Sequence, residues 1–313
     1  MTGAAGFIGS HLSAALLDRG AEVVGLDCFT DYYPRASKEQ NLATVRRHAR
    51  FTFVEDAIGT ADLPALLDGV THVFHLAAQA GVRKSWGDQF HAYTALNVDA
   101  TQRLLEAIRS RPIERLVYAS SSSVYGDAVA IPMTEEARPQ PVSPYGVTKL
   151  AAEHLCQLYQ VNYGVRAVSL RYFTVYGPRQ RPDMAFHRFA RAAYEGLPIS
   201  LYGDGEQTRD FTYVADIVAA TLAAGDRGRP GAVYNIGGGS RVTMNRVIEL
   251  VGQITGRPLD VRREPAQKGD MRDTFADTSR ARAEIGFLPR YTLEEGLAAE
   301  CDWMAHLVGA PSR

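Results

Sequence analysis

The segment that decides the fold is the first twenty residues, MTGAAGFIGSHLSAALLDRG (Met1–Gly20). Within it, Gly3, Gly6 and Gly9 form a G-x-x-G-x-x-G turn directly before a helical pattern (His11–Arg19). Such a turn lets the backbone approach a pyrophosphate, which then lies at the amino end of the helix, where free N–H groups point outward. Because three glycines at this spacing also arise by chance, the turn alone is weak evidence for a dinucleotide.

An acidic residue follows the turn where a dinucleotide site needs one. The strand-like segment Glu22–Leu26 (EVVGL) leads directly into Asp27. A carboxylate there can accept hydrogen bonds from an adenosine ribose, and it would repel a 2′-phosphate. The sequence therefore predicts bound NAD rather than NADP, and the alternative is a glycine-rich turn that binds nothing.

The first half of the chain alternates strand-like and helix-like segments. The strand-like runs are rich in β-branched and aromatic residues: Glu22–Leu26, Phe51–Glu55, His72–Leu76, Arg115–Ala119 and Val165–Leu170. Near-continuous apolar strands suit a parallel sheet that is covered on both faces. Apolar residues at helical spacing predict helices between the strands, most clearly over Val98–Ser110 and Val147–Tyr163. The alternation predicts a doubly wound α/β fold of the Rossmann type.

Composition divides this fold into two interleaved lobes. We expect residues 1–172 to form the NAD-binding Rossmann domain, with about 211–236 returning to it through the strand-like segment Ala232–Ile236. Residues 173–210 and 237–313 are richer in Pro, Gly and Arg, and we expect them to form a smaller substrate-binding lobe.

Charge, hydropathy and cysteine usage exclude several classes of protein. The 34 Lys and Arg residues nearly balance the 35 Asp and Glu residues, which argues against a nucleic-acid partner. No apolar run approaches the ~20 residues of a membrane span. No N-terminal stretch combines a basic region, an apolar run and a small-residue cleavage site, so we do not expect secretion. Cys28, Cys156 and Cys301 lie far apart, which disfavours a disulfide scaffold and a cysteine-rich zinc site. We therefore expect a cytoplasmic protein without a membrane, nucleic-acid or metal partner.

Two further motifs carry side chains suited to proton transfer. Tyr145 and Lys149 form Y-x-x-x-K at the start of a predicted helix, so both face the same side of it. An ammonium group beside a phenol lowers the pKa of the phenol, which makes Tyr145 a candidate general base. The serine run Ser120–Ser123 follows the Arg115–Ala119 strand, at the sheet edge where open α/β folds bind ligands. Taken singly, either motif could instead be an ordinary surface pair or a serine-rich turn.

Together, the glycine turn, the serine run and the YGVTK segment resemble the extended short-chain dehydrogenase/reductase family. The resemblance covers essentially the whole chain, including HLAAQA (His75–Ala80), RYFTVYGPRQ (Arg171–Gln180), GDGEQTRDFTYVAD (Gly203–Asp216) and YNIGGG (Tyr234–Gly239). It implies that Ser121, Tyr145 and Lys149 are the catalytic triad. The NAD contacts that it implies are Gly3, Gly6, Phe7, Ile8, Gly9, Asp27, Asp56, Ala57, Leu76, Ala77, Ala78, Asn97, Tyr145, Lys149 and Tyr172.

The serine run also bears on which family reaction the chain performs. Nucleotide-sugar 4,6-dehydratases of this family carry an Asp-Glu pair where Ser122 and Ser123 stand, and decarboxylases that make a UDP-pentose usually carry Glu at the second place. Neither acid is present. The resemblance therefore implies 4-epimerisation, an isomerase reaction in which bound NAD transiently oxidises C4.

The substrate that the resemblance favours is UDP-glucuronate, interconverted with UDP-galacturonate. The segments Asp31–Arg35, Gly81–Trp86 and Phe173–Phe186 resemble UDP-glucuronate 4-epimerases. The expected substrate contacts are Arg83, Ser121, Ser122, Ser123, Thr174, Arg181, Arg209 and Arg272, of which the hydroxyls would hold the sugar carboxylate and the last two arginines the diphosphate. The alternatives are a UDP-glucose or UDP-N-acetylglucosamine 4-epimerase, a UDP-glucuronate decarboxylase, and an NAD-binding protein without catalysis.

Two further expectations concern a second subunit and the first strand of the sheet. The helices Val98–Ser110 and Val147–Tyr163 resemble those that join two family subunits through a four-helix bundle, which implies a homodimer. In the family a central strand precedes the glycine turn, whereas here Met1 directly precedes its Thr-Gly. We therefore expect that the native protein is longer by one short apolar strand.

Overall fold

A parallel sheet with helices on both faces forms the amino-terminal lobe. The structure is a computed structural model, and it describes residues 1–127 and 130–310, so that 128–129 and 311–313 of the two predicted lobes lie outside it. The strands are β1 (Val23–Asp27), β2 (Phe51–Glu55), β3 (His72–His75), β4 (Arg115–Ser121), β5 (Ala167–Tyr172), β6 (Val175–Tyr176), β7 (Ile199–Tyr202), β8 (Thr208–Asp210), β9 (Thr212–Tyr213), β10 (Val233–Ile236), β11 (Arg241–Thr243) and β12 (Val261–Glu264).

The helices include one at each of the three places that the sequence predicts, His11–Arg19, Val98–Ser110 and Val147–Tyr163. They are α1 (Phe7–Asp18), α2 (Arg35–Leu42), α3 (Leu63–Leu66), α4 (Phe90–Tyr93), α5 (Ala100–Ile108), α6 (Pro144–Tyr163), α7 (Ala185–Glu195), α8 (Val214–Arg227), α9 (Met244–Thr255), α10 (Ser279–Ile285) and α11 (Leu293–Val308). Short 3-10 turns occur at Arg83–Ser85, Gly87–Gln89 and Ser122–Val124, and a π-helical turn at Thr94–Asp99 joins α4 to α5.

The sheet has the order β10-β5-β4-β3, and each neighbouring pair is parallel. Its central strand β4 alternates its side chains between two apolar layers. Val117 and Ala119 pack with the α1 and α8 layer, whereas Leu116 and Tyr118 pack with the α5 and α6 layer. A parallel sheet covered on both faces is the predicted doubly wound fold, and that prediction is confirmed.

Beside β3, the sheet continues through two residues rather than a full strand. The parallel pair β1–β2 forms its own small sheet, and Thr2 bridges both Leu26 of β1 and His75 of β3. Met1 accepts a hydrogen bond from the Leu26 N–H at 2.8 Å, and the Thr2 N–H donates to the Phe74 carbonyl at 3.0 Å. The place predicted for a central strand is therefore filled by Met1 and Thr2.

The second lobe packs three helices around its own apolar core. Phe189 of α7, Val247 of α9 and Leu297 of α11 are buried together there. Two-stranded sheets β7–β12 and β8–β11 border this core. Strand β10 pairs with β5, so the chain returns to the first sheet before it builds α9 to α11.

Across residues 1–127 and 130–310, no helix combines the length and the apolar character needed to cross a membrane. The same residues hold no group of three or more His, Cys, Asp or Glu side chains placed to bind a metal ion.

Candidate active site

Helix α6 places its reactive side chains through a well-defined first turn. The Ser143 hydroxyl caps the helix by accepting a hydrogen bond from the Gly146 N–H at 3.1 Å, and Pro144 occupies the first position. Tyr145 therefore lies in the first turn, and Lys149 lies one turn further along the same face. The serine cap and the proline explain why the helix begins earlier than its apolar pattern alone predicts.

Lys149 is almost completely buried, with 4% of its surface exposed. Its ammonium nitrogen lies 4.5 Å from the centre of the Tyr118 ring. Burial lowers the pKa of Lys149 to about 7, although the neighbouring Cys156 and Glu153 act in the opposite direction. The ammonium form is therefore costly here unless a neighbouring group favours it.

Tyr145 has different electrostatic neighbours from those that the sequence predicts. Burial raises the pKa of Tyr145, while a hydrogen bond with Ser121 and the charge of Arg181 lower it. The sequence argument gave the lowering role to Lys149. In the structure, Ser121 and Arg181, which line the same cleft as Tyr145, supply it.

Every serine of the run lines the cleft beside Tyr145, and Ser120 has a structural role as well. Ser120 is buried and donates a 2.6 Å hydrogen bond to Glu153, which also forms a bidentate ion pair with Arg171 at 2.6 and 3.1 Å. Ser121 ends β4, and its hydroxyl accepts the Ser123 N–H at 3.1 Å. Ser121, Ser122 and Ser123 line the cleft beside Tyr145.

The glycine turn is built for close approach of backbone to backbone. A Cβ on Gly9 would lie 2.0 Å from the Gly3 carbonyl oxygen, and Gly3 itself has φ +71°. The Asp27 carboxylate accepts the N–H groups of Ala5 at 3.1 Å and Phe29 at 3.0 Å, which fixes it beside this turn. An open helix end and a ribose-facing carboxylate are what a dinucleotide requires, so these residues fit NAD.

One cleft collects the residues predicted to contact NAD. Its lining contains Gly3, Gly6, Phe7, Ile8, Gly9, Asp27, Asp56, Ala57, Leu76, Ala77, Ala78, Tyr145, Lys149 and Tyr172. Asn97 is not part of that lining. Its side chain is buried and bonds to the Gln79 backbone at 2.7 and 3.1 Å and to Thr148 at 3.0 Å. Asn97 therefore lies behind the cleft, where it fixes Gln79, a residue that does line it.

A second cleft adjoins the first and collects the predicted substrate contacts. Its lining contains Arg83, Ser121, Ser122, Ser123, Thr174, Arg181 and Arg209, and it shares Tyr145, Tyr172, Phe7 and Ile8 with the first cleft. Arg272 is not part of the lining, because its guanidinium pairs with Asp204 at 3.2 Å and is 65% exposed. Tyr145 therefore lies where the two clefts meet.

Several lining residues have no counterpart in the sequence prediction. Lys38 is buried in the NAD cleft and donates to the Thr30 carbonyl at 2.7 Å. Tyr32 lines both clefts and donates to Asp183 at 3.3 Å, and Asp183 pairs with Arg181 at 3.0 Å. Arg188 of α7 adds a cation to the substrate cleft. The DYYPR segment (Asp31–Arg35) was singled out by its resemblance to the family, but only the fold shows which of these side chains face a cleft.

Comparison with known proteins agrees with this geometry. A model of the NAD-dependent epimerase/dehydratase family matches residues 1–237. The chain belongs to this family. A family relative from Bacillus subtilis, described as the uncharacterized UDP-glucose epimerase YtcB, is 45% identical over 311 residues, which is 98% of each chain. The UDP-glucuronate 4-epimerase of Thermodesulfobacterium geofontis is 36% identical over 97% of this chain and 94% of its own.

A solved structure from the family extends the likeness to three dimensions. The UDP-glucuronic acid 4-epimerase of Bacillus cereus, in complex with UDP-glucuronic acid and NAD, superposes with a TM-score of 0.95. The two sequences are 43% identical, and the match covers 98% of each chain. These matches confirm the predicted family and its dependence on NAD.

Proposed function

We propose that this chain is a UDP-glucuronate 4-epimerase that interconverts UDP-glucuronate and UDP-galacturonate. The observation that carries the proposal is the group of hydroxyls beside Tyr145, formed by Ser121, Ser122, Ser123 and Thr174. Hydroxyls can donate hydrogen bonds to a sugar carboxylate without adding charge. The solved relative that binds UDP-glucuronic acid supports the same substrate.

In this proposal Tyr145 moves the proton of the sugar 4-hydroxyl. Tyr145 lines both clefts, and Ser121 stabilises its phenolate form by hydrogen bonding. Lys149 lies one turn away on α6 and adds positive charge to the same enclosed site when it is protonated. When bound, NAD supplies the reversible oxidation at C4 that lets the sugar return with either configuration.

The same hydroxyls have a second consequence for the reaction. Oxidation at C4 of a glucuronate gives a β-keto acid, which loses CO₂ readily. Ser122, Ser123 and Thr174 can hold the carboxylate in an orientation that disfavours the loss of CO₂. None of these three side chains is an acid that would protonate the carboxylate. We propose that this cradle separates the epimerase from the decarboxylases of the family.

We also propose that the enzyme works in the cytoplasm as a homodimer paired through α6. This helix exposes apolar side chains along its outer side, with Leu158 54% and Val161 77% exposed. Exposed apolar side chains at neighbouring positions of one helix are consistent with an interaction surface. Sedimentation of the purified chain tests this proposal, and a monomer at micromolar concentration would contradict it.

Separate incubations with UDP-glucuronate and UDP-glucose test the main proposal. We expect NMR to show conversion of UDP-glucuronate to UDP-galacturonate without release of CO₂. Turnover of UDP-glucose alone would instead assign a UDP-glucose 4-epimerase. Formation of a UDP-pentose from most of the UDP-glucuronate would assign a decarboxylase.

A further inference from the structure

A single buried carboxylate, that of Asp210, joins three segments at one end of the substrate cleft. Asp210 lies in β8 and has no exposed surface. Its Oδ1 atom accepts the N–H groups of Gly238 at 2.8 Å and Gly239 at 3.2 Å. Its Oδ2 atom accepts the N–H of Ala276 at 3.0 Å. The carboxylate therefore holds the loop after β10 and the segment around Ala276 against β8.

The glycines of YNIGGG are what makes this arrangement possible. A Cβ on Gly237 would lie 2.4 Å from the Asp210 Oδ2 atom, and a Cβ on Gly238 would lie 2.0 Å from the Phe211 carbonyl oxygen. Both distances are shorter than any real carbon contact, so the loop can approach β8 only as glycine backbone. The motif thus serves Asp210 rather than the NAD cleft.

The segments that Asp210 gathers also hold Arg209, one of the arginines that line the substrate cleft. The Arg209 Nη1 atom donates to the carbonyl oxygens of Thr208 at 2.9 Å and Arg272 at 3.0 Å. The Thr208 N–H donates to the same Arg272 carbonyl at 3.1 Å, and the Asp210 N–H donates to the Thr274 hydroxyl at 3.3 Å. Segment 272–276 is therefore hydrogen-bonded to β8 at Thr208 and Asp210, the residues on either side of Arg209. The Asp210 carboxylate adds a further bond to the end of this segment through the Ala276 N–H.

We propose that Asp210 is a positioning residue for recognition of the substrate diphosphate. It touches no ligand itself, but it fixes the backbone that orients Arg209, whose fork can pair with two phosphate oxygens. This inference rests on the proposed function, because it needs a nucleoside diphosphate in the cleft. In this role Asp210 links the RDF segment (Arg209–Phe211) to the YNIGGG segment (Tyr234–Gly239).

The chain offers a matched control. Asp216 of α8 is also a buried carboxylate, and it accepts the backbone N–H groups of Arg290 at 3.0 Å and Tyr291 at 3.3 Å. Neither Asp216 nor these partners line the substrate cleft. Asp216→Asn therefore weakens a similar set of bonds without disturbing Arg209.

Calorimetric titration of the NAD-loaded enzyme with UDP and with uridine tests the proposal. For Asp210→Asn we expect the affinity for UDP to fall by roughly tenfold, which equals ~1.4 kcal/mol, while the affinity for uridine stays within about twofold. Steady-state assays should show a higher KM for the UDP-sugar with little change in kcat. Asp216→Asn should bind both ligands like the wild type, whatever it does to the melting temperature.

Unchanged UDP affinity in Asp210→Asn would overturn the inference, as would equal losses for UDP and uridine. If Asp210→Asn fails to fold, Thr274→Val decides, because it removes only the bond to the Asp210 N–H. Selectively weaker UDP binding by Thr274→Val supports the inference, and wild-type binding overturns it. If the wild-type enzyme does not bind UDP, the proposed function fails and this inference falls with it.

Discussion

Replacing Ser121 with alanine should change how the reaction depends on pH, not only how fast it is. In the structure, burial raises the pKa of Tyr145, and the hydrogen bond with Ser121 is the first of the influences that lower it. The bond stabilises the phenolate, so its loss must raise the pKa further. Because a general base acts in its deprotonated form, the rising limb of the pH profile should move to higher pH.

The size of the shift follows from the strength of the bond. A hydrogen bond to a charged group contributes ~1.5–3 kcal/mol, and one pKa unit corresponds to ~1.4 kcal/mol. Ser121→Ala should therefore move the limb up by ~1–2 units. Below the limb, the phenolate fraction falls tenfold per unit, so kcat/KM at neutral pH should drop ~10–100-fold.

The assay is kcat/KM measured from neutral to alkaline pH, which reports the groups of the free enzyme. The activity of Ser121→Ala should approach that of the wild type as the pH rises. Ser122→Ala is the control, because Ser122 lines the same cleft but is not among the groups that act on Tyr145. A uniform loss at every pH, with the limb unmoved, would refute the reasoning.

Three further predictions address the base, the cradle and the glycine turn. Tyr145→Phe should lower kcat by ~10²–10⁴ while the purified protein retains its NAD, and near-normal turnover would contradict the assigned role. Thr174→Val should cost ~1.5–3 kcal/mol in kcat/KM for UDP-glucuronate and much less for UDP-glucose, and some UDP-pentose should appear; equal losses would rule out the cradle. Gly9→Ala should abolish NAD retention and lower the melting temperature, since its Cβ would lie 2.0 Å from the Gly3 carbonyl oxygen, whereas Gly59→Ala, with nothing within 4 Å of its Cβ, should change neither.

Local signals in the sequence carry much of the fold. The glycine turn, the apolar strands and the helical spacing of Val147–Tyr163 each act over a few residues, so a pattern is enough to find them, although the Ser143–Pro144 start of α6 was not predicted. Residues placed by such motifs line the two clefts, among them Gly3, Gly9, Asp27 and Tyr145. The doubly wound class follows because alternating strands and helices leave few other ways to bury both faces of the sheet.

Contacts between distant segments limited the prediction of the site. Arg272 faces Asp204, and Tyr32 reaches Asp183 across 151 positions of sequence, and neither pairing has a sequence pattern. The burial of individual side chains could not be predicted from the sequence pattern either. Spacing placed Lys149 beside Tyr145, but only the packed structure shows that Lys149 lies over the Tyr118 ring and that its pKa falls to about 7.

The bond from Ser120 to Glu153 limits how this enzyme could be redesigned for other sugars. Glu153 and Arg171 are 0% and 5% exposed and form a bidentate pair that Ser120 completes. Removing the Ser120 hydroxyl leaves the Arg171 pair in place but takes one hydrogen bond from the buried Glu153 carboxylate, at a cost of ~1.5–3 kcal/mol. A library that randomises the whole serine run would therefore destabilise most of its members at this one position. Varying Ser122 and Ser123 while holding Ser120 fixed confines the search to positions of the same cleft that do not bond to Glu153.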